Sequence, residues 1–383
     1  VTVSATNGAT NSAAITSANG DILLDSSDGS AITSNGNLSA ANGSITLGHT
    51  GGNATQEITV GPASGSNTIT AQNVYLNATD AITLKNIDLT VTDASGLTLS
   101  SGAITGTAVK LTASNGDIAI NSATETGDIN LTGSGKLSAE NGSITIGNAN
   151  SGEVMVYLEN SGNSLLAKDI AIEGYAVYTS NGQFTATDRD ISLFAHGTND
   201  DDILAANGNL VAANGAVNIM ADIGNVNVGA QFTAQEININ KDSGSGDITV
   251  SSTLLAENTT GSKDGVINIG NADTKNVSIN SESVITGKLN IKGSEKIELA
   301  GGSFTVTDGT GLTLTSKDLY SIADITATNG DITLIATGEI KTYRSDTSNM
   351  QAKNITFTAG GDITSGANLK ATSAAGKITA AST

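Results

Sequence analysis

The sequence predicts an all-β protein: a parallel right-handed β-helix (β-solenoid) with about three short strands in each coil. Three observations support this prediction. Short segments of alternating apolar and polar residues recur along the chain, glycine and small polar residues separate them, and longer blocks repeat in tandem. No segment with a helical period intervenes, so α-solenoids and βαβ folds are excluded.

The alternating segments have the form apolar–polar–apolar and are three to five residues long. Alternation with a period of two residues is typical of half-buried β-strands, and Ile, Val and Leu suit a pleated surface. Examples occur along the chain at residues 22–24, 45–47, 74–76, 97–99, 118–120, 144–146, 170–172, 191–193, 217–219, 237–239, 267–269, 289–291, 312–314 and 332–334. We therefore expect short strands over the whole sequence.

Asparagine–glycine pairs stand immediately before many of these segments, as at residues 19–20, 141–142 and 329–330. Both residue types tolerate the left-handed region of backbone conformation, so such pairs suit tight turns. We interpret them as structural turns and not as ligand-binding residues. Hairpins would need antiparallel strands of matched length, which the even spacing of short segments does not favour.

A longer repeat divides the chain into tandem blocks. The segment LSAANGSITLG at residues 38–48 returns as LSAENGSITIG at residues 137–147, which begins 99 residues later (137 minus 38), and looser copies begin at Leu255 and Leu369. The sequence thus predicts one continuous β-helix over residues 1–383, built of blocks of about 100–118 residues. The predicted blocks are about 38–136, 137–254 and 255–368, with a partial block at 369–383.

Within a block the strands fall about every 7–8 residues, so three strands form a unit of about 22 residues. Units of this size that cannot bury a face alone are typical of solenoids. A propeller would need blades of about 40–45 residues with recurrent aromatic side chains. The chain has only 5 Phe, 6 Tyr and no Trp, so we favour the β-helix.

Composition and charge exclude several classes of protein. The 383 residues include 37 acidic and 17 basic side chains, and the formal net charge of −20 argues against partners such as nucleic acid or an anionic membrane surface. Cysteine is absent, which removes disulfides, cysteine–zinc sites and thiol catalysis. No uninterrupted apolar run approaches the length that a membrane-spanning helix needs, so no transmembrane helix is predicted.

Several runs resemble a known family. They include SANGDILL at residues 17–24, GSITIG at residues 142–147 and NGDITL at residues 329–334. These runs resemble the repeats of filamentous-haemagglutinin-like proteins, which are β-helix adhesins of Gram-negative bacteria exported by two-partner secretion or as autotransporters. The resemblance extends over essentially the whole chain. It implies a secreted, extracellular protein of the bacterial cell surface that acts in adhesion.

One charged segment is the best candidate for a binding loop. Many polysaccharide lyases and hydrolases are parallel β-helices, and their sites need carboxylates for acid–base chemistry or a calcium cluster beside a basic residue. If Asp188 and Asp190 share a strand, both side chains project from one face about 7 Å apart. Solvated charge at a strand end is the simpler interpretation. The candidate residues are Asp188, Arg189, Asp190, His196, Asp200, Asp201 and Asp202, near the aromatic residues Tyr175, Tyr178, Phe184 and Phe194.

We assign no catalytic, cofactor-binding or metal-binding residue and expect no cofactor. Calcium is an alternative at residues 200–202, but three adjacent carboxylates cannot all point at one ion from a regular strand, and no dedicated calcium motif occurs. His49 has no second histidine near it in the sequence, which does not favour a metal site. No Ser–His–Asp set, phosphate loop or dinucleotide fingerprint is present.

The sequence therefore predicts a non-enzymatic structural or adhesive β-helix, a stalk or filament segment of a bacterial surface adhesin. The alternative is a glycan-binding or glycan-degrading enzyme with a site near residues 188–202. Neither end of the sequence shows a cap, and an uncapped solenoid exposes unpaired backbone groups. We therefore expect the chain to continue in a longer parent chain or to associate with itself end to end. Surface glycans or proteins are the other expected partners.

Overall fold

A computed structural model describes residues 1–26, 28–49, 54–122, 127–159, 163–198, 203–257, 261–262, 264–342 and 348–382. Every helix or strand assigned in these residues is a β-strand, and the strands pair in parallel, which confirms the predicted all-β, parallel β-solenoid. The described residues contain no helix long and apolar enough to cross a membrane. The chain divides into two compact units, Val1–Asp188 and Arg189–Thr383.

Most strands of the first unit are short, and the longer ones bend around a corner of the coil. Its described strands are β1 (Thr2–Ala5), β2 (Ala9–Asn11), β3 (Ile15–Ser17), β4 (Ile22–Ser26), β5 (Ile32–Ser34), β6 (Leu38–Leu47), β7 (Glu57–Val60), β8 (Asn67–Asn77), β9 (Ala81–Val91), β10 (Leu97–Ser101), β11 (Ala103–Ala113), β12 (Ile118–Ser122), β13 (Ile129–Gly133), β14 (Lys136–Gly147), β15 (Glu153–Leu158), β16 (Asn163–Gly174) and β17 (Ala176–Ala186).

The second unit has the same organisation. Its described strands are β18 (Ile191–Ala195), β19 (Ile203–Ala221), β20 (Asn225–Val228), β21 (Phe232–Ile239), β22 (Ile248–Val250), β23 (Leu254–Ala256), β24 (Val266–Ile269), β25 (Asn276–Ile279), β26 (Ser283–Thr286), β27 (Lys288–Lys292), β28 (Lys296–Leu299), β29 (Ser303–Val306), β30 (Leu312–Ser316), β31 (Asp318–Ser321), β32 (Asp324–Ala327), β33 (Ile332–Ala336), β34 (Ile340–Thr342), β35 (Asn349–Ala352), β36 (Ile355–Ala359), β37 (Ile363–Ser365), β38 (Asn368–Ala371) and β39 (Ile378–Ser382).

Within each unit the strands form three parallel stacks, and each coil contributes one strand to every stack. In the first unit β10 pairs with β8 on one side and with β12 on the other. The longer β9 belongs to two stacks, because its first half pairs with β7 and its second half pairs with β8. In the second unit β31 lies between β28 and β34 in the same way. The prediction of three strands per coil is therefore confirmed.

The interior of the coils is filled by apolar side chains that stack on similar residues of the neighbouring coils. Ile118, Ile144 and Ile170 occupy one position in three successive coils, and all three are fully buried. Phe184 and Phe357 are also buried, at 0 % and 1 % exposure, so Phe184 belongs to the core. Burying an aliphatic side chain contributes about 1.5–3 kcal/mol, and the repetition of this contact stabilises every coil.

The coils are less uniform in length than predicted. Ile22, Ile45 and Val74 occupy one position in successive coils of the first unit, and the sequence interval from Ile45 to Val74 is longer than the interval from Ile22 to Ile45. In the second unit the interval from Ile237 to its partner Ile267 is longer still. The predicted repeat unit is too short for these coils, because corners between strands accept insertions without changing the strand register.

The tandem repeat corresponds to one recurring corner of the coil. The two closest copies lie in β6 and β14. Each strand shifts its register as it turns this corner, between Ala40 and Ser44 in β6 and between Ala139 and Ser143 in β14. The repeated sequence therefore encodes the same bend twice. The block boundaries, the right-handed coil and a single continuous β-helix over residues 1–383 stay predictions.

Side-chain oxygens at the corners bond the backbone of the next coil. Oδ1 of Asp21 accepts a hydrogen bond from the N–H of Ser44 at 2.8 Å, and Asp117 accepts one from Ser143 at 2.7 Å. Charged acceptors strengthen such bonds, and each bond satisfies an N–H group where the chain turns into a strand. The same contact joins Glu153 to Asp128, Asn276 to Asp247, Glu339 to Asp318 and Asn349 to Asp324, at 2.7–3.1 Å.

The Asn-Gly pairs that stand before strands are part of this corner structure, but the left-handed conformation expected of them is wrong for their glycines. Among the described Asn-Gly pairs, Gly8 alone has a positive φ, of 87°. A Cβ atom on Gly142 would lie 2.2 Å from the carbonyl oxygen of Gly116 in the preceding coil, so glycine is required by close approach. Asn141 donates its side-chain N–H to the carbonyl of Ser114 at 2.9 Å. The pair therefore fastens one coil to the next.

Outward-facing positions also form ladders of like residues. In the first unit one position in five successive coils is occupied by Thr10, Thr33, Thr59, Thr83 and Thr105. In the second unit amide hydrogen bonds of 2.7–2.9 Å join Asn218, Asn238, Asn268 and Asn290. Pairs of neighbouring side chains on one face of a sheet stabilise strand pairing, so these ladders reinforce the stacking of coils from outside.

In β14 an inward and an outward residue are neighbours, so we expect the same substitution to lower stability very differently at the two positions. We expect Ile144→Asp to lower the free energy of unfolding by about 4 kcal/mol, because it buries an unpaired charge. Thr145→Asp is the matched control: Thr145 faces outward, and its substitution should cost less than about 0.5 kcal/mol. Chemical denaturation of the three proteins measures both values, and equal losses would contradict the assigned inward face.

The close approach at Gly142 predicts that alanine is tolerated differently at two glycines of the same motif. We expect Gly142→Ala to destabilise the chain by about 1–3 kcal/mol through steric overlap with the preceding coil. Gly20 belongs to the same Asn-Gly motif, but a Cβ atom there would have its nearest neighbour at 3.9 Å. Gly20→Ala should therefore be neutral or stabilise the chain slightly. Thermal unfolding of both variants gives the comparison, and a destabilised Gly20→Ala variant would argue for a conformational role of the glycine.

Candidate functional site

The predicted binding loop is not a single strand. Asp200, Asp201 and Asp202 lie outside the described residues. Asp188 and Arg189 have exposed side chains and, with Asp190, lie between the end of β17 and the start of β18. Asp188 and Asp190 therefore do not project from one strand, because neither residue lies in a strand. The seven-residue loop stays a prediction.

Asp190 has a structural contact in the second unit. Its Oδ1 accepts a hydrogen bond from the N–H of Ala216 at 2.7 Å, which is the corner contact that Asp21 and Asp117 make in the first unit. Asp190 also lines an open groove of about 570 Å³ together with Glu236 and Asp264. The groove brings three carboxylate residues to one surface.

Both histidines of the chain pair with an aspartate about one coil away in the sequence. Nδ1 of His196 lies 3.1 Å from Oδ2 of Asp222, and its ring centre lies 3.9 Å from that of Phe194. Nδ1 of His49 lies 2.9 Å from Oδ1 of Asp25. These contacts give each histidine a partner within the stack of coils.

The described candidate residues do not form a metal centre. Among the described residues, no group of three or more His, Asp or Glu side chains could hold a metal ion. The calcium alternative at residues 200–202 lies outside the described part of the chain.

A second group of polar side chains, which the sequence did not suggest, lies on β28, β31 and β34. Glu298, Tyr320 and Lys341 occupy one outward position in three successive coils. The hydroxyl of Tyr320 donates a hydrogen bond to the carboxylate of Glu339, and Nζ of Lys341 donates to the same carboxylate at 2.6 Å. Nζ of Lys341 also lies 5.6 Å from the centre of the Tyr320 ring, within cation–π range.

The pair Lys296–Glu298 completes this group, with Nζ and Oε2 2.9 Å apart. We call Lys296, Glu298, Tyr320, Glu339 and Lys341 the tyrosine cluster. It combines one aromatic ring, two ammonium groups and two carboxylates. The opposite charges are paired, so the cluster is close to neutral on a chain with a formal net charge of −20.

The shared carboxylate shifts two pKa values in opposite directions. Hydrogen bonds from the Lys341 ammonium and from the Tyr320 hydroxyl hold the pKa of Glu339 below its ordinary value. The hydrogen bond to Glu339, together with burial and the negative charge of that carboxylate, raises the pKa of Tyr320 to about 12. Near neutral pH Tyr320 is therefore a neutral hydrogen-bond donor beside an ionised Glu339.

A groove of about 260 Å³ borders the tyrosine cluster on the β28 side of β31. Lys296, Glu298 and Tyr320 line it together with Leu299, Ala300, Ser321 and Ile322. Three of the lining residues, Leu299, Ala300 and Ile322, are apolar, and Ile322 is 40 % exposed. The groove is the one surface feature at which the aromatic ring, an exposed apolar side chain and a charged pair meet in the described coils of the second unit.

Sequence reasoning missed the tyrosine cluster because its members are far apart in the sequence and belong to three different coils. Their proximity depends on the exact length of every intervening corner. The sequence does hold an indication of the cluster, namely a glutamate, a tyrosine and a lysine at one outward position of β28, β31 and β34. This indication can be recognised only after the strands have been aligned coil by coil.

The chain has no match among family models, curated proteins or solved structures. The resemblance to filamentous-haemagglutinin-like repeats therefore depends on the residues of the repeats alone. The β-solenoid that this resemblance implies is the fold that the structure has.

The tyrosine cluster predicts an alkaline titration. Glu339→Gln removes the negative charge beside the Tyr320 hydroxyl, so we expect the pKa of Tyr320 to fall from about 12 toward about 10. Because the pKa is raised in the folded chain, the associated stabilisation is present below about pH 10 and is lost as the pH rises through about 12.

Phenolate absorbance across the titration measures the shift, and the Tyr320→Phe variant isolates one of the 6 tyrosines by difference. Circular dichroism confirms that the chain is still folded at each pH. Glu298→Gln is the control, because Glu298 lies beside the ring and Glu339 holds the hydroxyl. The same late titration in Glu339→Gln as in the unsubstituted chain would contradict the assignment.

Proposed function

We propose that the chain is a non-enzymatic segment of an extracellular adhesin, a stalk or filament segment at a bacterial cell surface. Its coils would supply a regular scaffold, and its outward side chains would bind surface glycans or proteins. The proposal includes self-association end to end or continuation in a longer chain. The parallel register supports that mode of assembly, since each coil bonds the next through the same kind of backbone contact.

The observation that carries the proposal is the use of corner side chains as bonds between coils. Asp21, Asp117 and Asp190 each use a carboxylate oxygen to accept a hydrogen bond from a backbone N–H one coil away. Asn141 bonds the neighbouring coil in the opposite sense, since its side-chain amide donates to the backbone carbonyl of Ser114. Asp190, a candidate residue of the predicted binding loop, thus makes the same contact between coils as Asp21 and Asp117, and regular stacking is what a structural scaffold requires.

A glycan-degrading enzyme is the second candidate function. It draws support from the open groove of about 570 Å³ lined by Asp190, Glu236 and Asp264, because a pair of carboxylates can act as general acid and base on a glycosidic bond. Oδ1 of Asp190 is already bonded to Ala216, which favours the structural role for this residue.

One set of assays tests both functions. Beads coated with the chain should be retained on bacterial or epithelial cell surfaces, and albumin-coated beads should not. Incubation with neutral and acidic polysaccharides should release neither reducing ends nor unsaturated products. Turnover that is lost in Asp190→Asn would defeat the structural proposal, since asparagine keeps the Oδ1 acceptor for Ala216 and so preserves the corner. Beads that are not retained would defeat the adhesive part.

A further inference from the structure

We infer that the groove beside the tyrosine cluster is a binding subsite for one neutral pyranose residue of a surface glycan. This inference names the ligand class of the proposed adhesive function and rests on that function for its role. Four features of the groove support it: its position relative to the Tyr320 ring, its apolar lining, its charged rim and its size.

The first feature is the position of the groove relative to the Tyr320 ring. In the stack, Tyr320 lies between Glu298 of the preceding coil and Lys341 of the following coil. On the side of the following coil, the ammonium of Lys341 lies near the Tyr320 ring, and the carboxylate of Glu339 accepts a hydrogen bond from the Tyr320 hydroxyl. The groove is lined from β28 and β31, so it lies on the opposite side. The ring is thus fixed by its neighbours and turned toward an open space.

The residues at the outward position of Tyr320 differ from coil to coil. This position carries Ser278, Glu298, Tyr320, Lys341 and Thr364 in five successive coils, so it does not form a ladder of like residues. The combination of a charged pair and an aromatic ring that lines the groove occurs at one place in this series. The groove is therefore a local feature and does not repeat along the unit.

The second feature is the apolar lining. Ile322 is 40 % exposed and is one of five large apolar side chains that are exposed in the described residues. It lines the groove with Ala300 and Tyr320. The C–H face of a pyranose packs against aromatic and aliphatic side chains, which removes their apolar surface from water. Ala300 has a short side chain, so it leaves room for a pyranose ring to pack against the Tyr320 side chain.

The third feature is the rim formed by Lys296 and Glu298. Their charged groups are 2.9 Å apart, and each side chain is about 40 % exposed, so both remain accessible to a ligand. An ammonium donates and a carboxylate accepts, and vicinal hydroxyls of a sugar can satisfy both at once. Because the charges cancel, the rim does not attract an anion, and the chain with its net charge of −20 repels one. A neutral sugar is therefore favoured over an acidic one.

The fourth feature is size. The volume of about 260 Å³ is slightly below the usual range of about 300–1,000 Å³ for small-molecule sites, so the groove fits one sugar residue and leaves the rest of a glycan in solvent. A ligand of this size with few contacts binds with a Kd on the order of millimolar. Useful adhesion would then come from many chains on one surface, which multiplies weak contacts.

The test is saturation-transfer NMR on the full chain with methyl glycosides of glucose, galactose and N-acetylglucosamine, and with methyl sialoside as the anionic comparison. At least one neutral glycoside should receive saturation, strongest on the C–H protons of one ring face, and the sialoside should receive less. No transfer to any neutral glycoside, or stronger transfer to the sialoside, would overturn the inference.

Variants locate the binding. Tyr320→Ala should abolish the transfer, whereas Tyr320→Phe should retain it because the ring is kept. Ala300→Leu fills the groove with Tyr320 intact and should weaken binding at least about tenfold, and this variant keeps the test valid if Tyr320→Ala does not fold. Tyr157→Ala, in the first unit, is the remote control. Transfer that persists in Tyr320→Ala and in Ala300→Leu would place the sugar elsewhere and overturn the inference.

The bead assay separates this inference from the proposed function. Beads that attach to cells while the chain binds no neutral glycoside would overturn the subsite and leave the adhesive role standing. Glycoside binding at Tyr320 without retention of beads would overturn the adhesive role and leave the subsite standing.

Discussion

Each coil must repeat the backbone path of the coil beside it, because parallel strands bond only at a spacing of about 4.7–4.9 Å. This requirement determines which residues occupy the interior of the coils and which occupy the corners. Inside, Ile118, Ile144 and Ile170 stack directly on one another. At the corners, where strand bonding is interrupted, Asp117 and Asn141 supply side-chain hydrogen bonds to the adjacent coil. The polar residues of the chain are thus distributed by the same constraint that distributes the apolar ones.

The constraint is strict at the strands and loose at the corners. Ile22, Ile45 and Val74 keep one position in the strand stack, yet the sequence interval between them lengthens from one coil to the next. An insertion at a corner leaves the register of the flanking strands unchanged, and its entropic cost rises slowly with length. Short strands therefore repeat faithfully, whereas the blocks built from them vary in length.

This difference explains what the sequence could and could not predict. The fold followed from local patterns, since apolar alternation marks each strand by itself. Contacts between coils depend on the lengths of the corners, which no local pattern encodes. Local spacing is therefore compatible with Asp188 and Asp190 on one strand, although both residues lie outside β17 and β18. For the same reason no local pattern pairs Tyr320 with Glu339, and none shows that Gly142 is required by the close approach of the preceding coil.

A scaffold of this kind leaves few positions free for recognition. Inward positions must be apolar and well packed, and corner positions are occupied by bonds between coils. Outward positions in the middle of strands are the remaining ones, and some of them are uniform, as in the Asn218 to Asn290 ladder, because like residues support stacking. A binding site at a uniform position would have to break such a ladder. An outward position where unlike residues meet, such as that of Tyr320, carries no ladder, so a ligand can be bound there without loss of that contact between coils.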